Sequence, residues 1–119
     1  MYSARLLDHF QNPRNVGDLP PPAIAVRVEN PVCGDILTLA ARIEGGRIAE
    51  VRYKTRGCTA SIAAGSALTE LLTGTATDTL SSIDAAAIEA ALDGLSNESK
   101  HAARLAEDGV KALIAELRS

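Results

Sequence analysis

The stretch DILTLAARIEGGRIAEVRYKTRGC, residues 35–58, decides the fold. Leu37, Leu39, Ala41 and Ile43 fall at every second position, the period of a half-buried strand. Glu-Gly-Gly-Arg follows, and Gly45 and Gly46 tolerate the positive φ that a tight hairpin turn requires. The run after the turn alternates again. Ala49, Val51 and Tyr53 are assigned to one face, and Arg52, Lys54 and Arg56 to the other. The basic stripe is the solvated side of a sheet and carries no nucleic-acid role.

Upstream, AIAVRVEN alternates through Ile24, Val26 and Val28 and adds a strand before the hairpin. NPRNVGDLPPP breaks any helix ahead of it. Residues 2–11 place Tyr2, Leu6 and Phe10 four apart, a short amphipathic helix, with the leucine and phenylalanine docking on the sheet. Downstream of Cys58 the period becomes helical. Ile62, Ala63, Leu68, Leu71 and Leu72 form a stripe that stops at Gly74. TATDTLSS reads as a polar loop, IDAAAIEAALDG as a second helix ending at Gly94, and LSNESKHAARLAEDGVKALIAELRS as the longest helix. Ser96 or Asn97 caps that helix, and Ala102, Ala106, Val110, Leu113 and Leu117 form its buried face. The expectation is an α+β fold: a three-stranded antiparallel sheet packed on one side by helices, in one domain over residues 1–119.

Bulk properties limit the function. The 119 residues are 46% apolar and 23% charged, as expected of a globular chain. The formal charge of -3 and an aromatic content of 3% argue against nucleic-acid binding. No apolar run suits a membrane span. The N-terminus lacks the apolar core of a signal peptide, so a cytoplasmic setting is expected. There, two cysteines are metal ligands, reactive thiols or core fillers rather than a structural disulfide.

Chain direction brings the chemistry together. In an antiparallel meander the first strand ends at the turn NPVCGD, residues 30–35, and the third ends at Gly57. Cys33, Asp35 and Cys58 then share one end of the sheet, and the last helix begins there with His101. Two thiolates, an imidazole and a carboxylate suit Zn²⁺ or iron. Cys58 opens a helix, whose free N–H groups and dipole favour an anion; Lys54, Arg56 and Lys100 lie close in sequence and add positive charge. Gly34 and Gly57 leave room for the backbone to bend. Read from the residues alone, two accounts stay open: a metal or reactive-thiol site, or small apolar fillers, a turn aspartate and a surface histidine.

The ordered set NPRNVG, NPVCGD, KTRGCTAS and KHAARLAEDGVKALI resembles the NifU/IscU-type scaffold family of iron–sulfur cluster assembly, over essentially the whole chain. The resemblance implies a carrier rather than an enzyme. It would take sulfur from a cysteine desulfurase, combine it with iron, and pass a cluster, of the 2Fe–2S type, to apo-protein acceptors. It implies Cys33, Asp35, Cys58 and His101 as the ligands, with Zn²⁺ held there when no cluster is present. It also implies that Tyr2 and NPRNVG contact a partner and cover the site. Two departures stand out. Ala102 occupies the place of the family's third cysteine, commonly the sulfur acceptor, and LSNESK lacks the proline-rich chaperone-recognition segment. The alternative function is a zinc- or iron-binding module of the same fold that no longer builds clusters. A metal hydrolase lacks a separate general base, and a dithiol redox protein lacks Cys-X-X-Cys spacing.

Overall fold

The computed structural model describes residues 2–118. Met1 and Ser119, the two ends of the expected domain, lie outside them. In chain order the elements are α1 (Ala4–Gln11), β1 (Ile24–Glu29), β2 (Ile36–Glu44), β3 (Arg47–Arg56), α2 (Thr59–Leu72), α3 (Ala85–Ala91) and α4 (Lys100–Leu117). The strands form one antiparallel sheet in the order β1-β2-β3. Its inner face carries Leu37, Leu39, Ala41, Ile48, Val51 and Tyr53, all essentially fully buried. Helices α2 and α4 pack on that face, α2 over β3 and α4 over β1 and β2. Burying one such aliphatic side chain stabilises by roughly 1.5–3 kcal/mol.

The hairpin turns where expected, with Gly45 at φ 60° and Gly46 at φ 74°. The face assignment in β3 needs one correction. Ile43 pairs with Ile48 and Arg42 with Glu50, so Ala49 is an extra residue on β3. This bulge shifts the alternation by one position. Ile48 therefore enters the core, and Ala49 is exposed.

Helix α2 is more central than a one-sided stripe. Ala60, Ala63, Ala64, Ala67, Leu68 and Leu72 are buried, and so are Ser61, Ser66 and Thr69. Its small residues let α1, β3, α3 and α4 all pack against it. At Gly65 the approach is closest: a Cβ there would lie 2.5 Å from the Tyr53 ring. The Tyr53 hydroxyl donates to the carbonyl of Ile62 at 2.9 Å, and burial pushes its pKa up to about 12, so it stays a donor.

Helix α1 docks on α2 rather than on the sheet. Leu6 and His9 are its buried residues, whereas Tyr2 and Phe10 are exposed. Ser3 caps it, accepting from the Leu6 N–H at 3.0 Å. The segment after α1 is not merely irregular. Asn15 O accepts from Tyr53 N at 2.9 Å and Gly17 N donates to Tyr53 O at 3.0 Å, which covers part of the free edge of β3. The polar stretch 77–82 forms a 3₁₀ turn that buries Leu80. A second 3₁₀ turn, Asn97–Ser99, precedes α4, so Ser96 borders that turn and neither Ser96 nor Asn97 caps the α-helix itself.

Candidate metal centre

Three chain segments meet at one end of the sheet. The β1–β2 loop is shaped by Asn30, whose side-chain oxygen accepts from the N–H groups of Val32 (2.9 Å) and Cys33 (3.3 Å). Gly34 follows at φ 76°, and Asp35 closes the loop by accepting from Asn30 N at 2.8 Å. The Asp35 side chain turns inward and is buried. Gly57 makes that position available, because a Cβ there would stand 2.7 Å from Asp35 Cγ. Cys58 then occupies the residue before α2, in extended conformation at φ -76°, ψ 170°. The third segment is the start of α4, where His101 is the second helical residue.

The donor atoms of Asp35, Cys58 and His101 all lie within 4.8 Å of one another. Cys58 Sγ is 3.5 Å from His101 Nε2 and 4.0 Å from Asp35 Oδ2. His101 Nε2 is 3.5 Å from Asp35 Oδ2. An ion bonded tetrahedrally to S, N and O at about 2.0–2.3 Å would space its donors by roughly 3.3–3.6 Å. The trio is therefore already near coordination spacing. The imidazole is oriented for this role. His101 Nδ1 lies 2.9 Å from the carbonyl of Glu98, which can only accept, so Nδ1 carries the proton. Nε2 then presents its lone pair to Cys58 and Asp35. A backbone carbonyl fixing the tautomer in this way is a recurrent support for metal-bound histidine.

Cys33 is not part of this trio. It is exposed on the loop and lines an open cavity of about 480 Å³ that His101 also lines, with Arg104 and Leu105 on the α4 side. Two of the cations close in sequence have carboxylate partners: Lys54 pairs with Asp18 at 2.5 Å and Lys100 with Glu89 at 2.8 Å. Sequence reasoning did not single out Ser61. Its hydroxyl donates to Asp35 Oδ2 at 2.6 Å and sits 3.4 Å from Cys58 Sγ. The signal available was its position three residues after a helix-opening cysteine, on the same side of the first turn.

The sequence model of the NifU-like N-terminal domain matches residues 1–119. The chain belongs to the NifU-like N-terminal domain family. An iron–sulfur cluster assembly scaffold protein IscU from Escherichia coli K12 is 37% identical over 122 residues, 99% of this chain and 94% of that one. The scaffold protein IscU 1 of Archaeoglobus fulgidus is 39% identical over 114 residues, 96% of this chain and 74% of that one. Among solved structures, a candidate SUF-system scaffold from Fervidobacterium islandicum AW-1 superposes with TM-score 0.77 at 17% identity. It covers 92% of this chain and 93% of that one, and so shows the same fold. In this NifU-like domain, position 102 is buried and filled by alanine, and no described helix is long and apolar enough to cross a membrane.

Proposed function

We propose that this chain is an iron–sulfur cluster assembly scaffold or carrier, with iron and sulfide as its cargo. The observation that carries the reading is the convergence of Cys58 Sγ, His101 Nε2 and Asp35 Oδ2 near coordination spacing. The relatives named as scaffold proteins support the assignment. Each residue has a role. Cys58 supplies a thiolate from the start of α2, His101 a neutral imidazole, and Asp35 a hard oxygen that tolerates ligand exchange. Cys33, on the exposed loop facing the same cavity as His101, is the fourth donor. It is also the thiol outside the trio that can receive sulfur: its thiolate attacks the terminal sulfur of a desulfurase persulfide, forming a Cys33 persulfide and releasing the desulfurase thiolate. That route does not need a cysteine at Ala102. The partners proposed are a cysteine desulfurase and apo-protein acceptors, in the cytoplasm, with a 2Fe–2S cluster as the cargo and Zn²⁺ in its absence.

Anaerobic addition of iron and sulfide tests the reading. The protein should develop visible charge-transfer absorption that survives desalting, and a chain that remains colourless would contradict it. A second reading rests on Ala102: the same centre holds one zinc or iron ion and builds no cluster. In that case the purified protein carries about one metal ion per chain, and desulfurase turnover is indifferent to it.

A further inference from the structure

The geometry points to Ser61 as the residue that positions the Asp35 carboxylate for metal binding. The inference rests on the metal centre proposed above and assigns a residue that supports it without touching the ion. Ser61 lies in the first turn of α2, three residues after Cys58, and is 2% exposed. Its hydroxyl has one proton to give. The 2.6 Å separation from Asp35 Oδ2 is that of a charge-assisted O–H···O⁻ bond, so the proton goes to the carboxylate. Cys58 Sγ, 3.4 Å from the same oxygen, receives no proton from it and stays free for a metal ion. Ser61 thus anchors Asp35, from the loop before β2, to the same helical turn that Cys58 opens. Gly57 works with it, since the absent side chain lets the carboxylate swing in until the hydroxyl catches it. Without the hydroxyl, Asp35 could rotate about its side-chain torsions, and ordering it would be charged to metal binding. Outer-shell hydrogen bonds of this kind are worth about 10–100-fold in metal affinity.

The test is a double-mutant cycle on the intact chain, using Co²⁺ as the probe and a competing chelator to read affinity. Ser61→Ala should bind Co²⁺ about 10–100-fold more weakly than the parent, with the thiolate-to-cobalt absorption of Cys58 retained. In an Asp35→Ala background the same Ser61→Ala change should cost less than about twofold, because the group it positions is gone. An unchanged affinity in Ser61→Ala overturns the inference. So does an equal loss in both backgrounds, which is what a purely structural serine would give. Should the alanine chain fail to fold, Ser61→Thr carries the test: it keeps the donor and should stay within about threefold of the parent, whereas a tenfold loss overturns the inference. A parent chain that binds no Co²⁺ at all would instead refute the metal centre itself.

Discussion

Gly57 and Cys58 stand side by side and do opposite jobs: one removes a side chain so that Asp35 can approach, the other supplies the sulfur. Gly57→Ala would place a methyl group 2.7 Å from Asp35 Cγ and force the carboxylate away. We expect a loss of about 1–3 kcal/mol in stability from the overpacking and a drop of at least about tenfold in metal affinity. Thermal melts and a chelator competition check the two effects, and an affinity equal to the parent's would refute the account of Gly57. Cys58→Ala should keep the fold and lose most of the bound metal, as read by metal analysis of protein purified without air. Unchanged content would make Cys58 a filler. The convergence of Asp35, Cys58 and His101 was legible in the sequence because strand direction fixes which loops share an end. The position of Cys33 was not, since it depends on how Asn30 folds the loop through its own side chain. Ser61 looked like one more small residue in a helix.

Helix α1 is held by chemistry that periodicity does not reveal. His9 is buried against α2, with Nδ1 2.8 Å from Ser66 Oγ and Nε2 3.4 Å from Glu70 Oε1. Burial holds its pKa below the ordinary value of 6.5, and the Arg14 guanidinium acts in the same direction, while Glu70 and Asp8 oppose them. The folded state therefore takes up its proton later than the unfolded chain as pH falls. The stabilisation is complete above about pH 6.5 and is lost as acid drives the proton onto the folded ring. Urea midpoints should fall between about pH 7.5 and pH 5.5, and His9→Gln should remove that part of the fall. An identical pH dependence in parent and variant would contradict this. Asp84 caps α3 by accepting from Ala87 N at 2.9 Å. Asp84→Ala should cost about 1 kcal/mol in a denaturant titration and leave metal affinity alone. The strands and main helices were readable from their periods. The bulge at Ala49 and the 3₁₀ turn over Leu80 were not, because cross-strand register and burial of a single leucine in a polar stretch are tertiary outcomes.

Over the whole molecule, the sheet acts as the ruler that brings distant residues to one rim. Asp35 and Cys58 are delivered by the two ends of the β2–β3 hairpin, and α4 returns over β1 and β2 to bring His101. The core under the rim is what keeps this alignment. Leu39→Ala, at a fully buried position of the central strand, should cost about 2–5 kcal/mol in unfolding free energy. The four-residue convergence expected from chain direction appears as three residues in contact and one, Cys33, outside the trio on Asp35's own loop. The central claim is that these side chains hold iron and sulfide together. Anaerobic reconstitution of the parent and of Cys58→Ala, followed by iron and sulfide analysis with visible absorption, tests it most directly. The account predicts a coloured parent holding both elements and a colourless variant depleted of both. A parent that retains neither, or a variant coloured to the same extent, would contradict it.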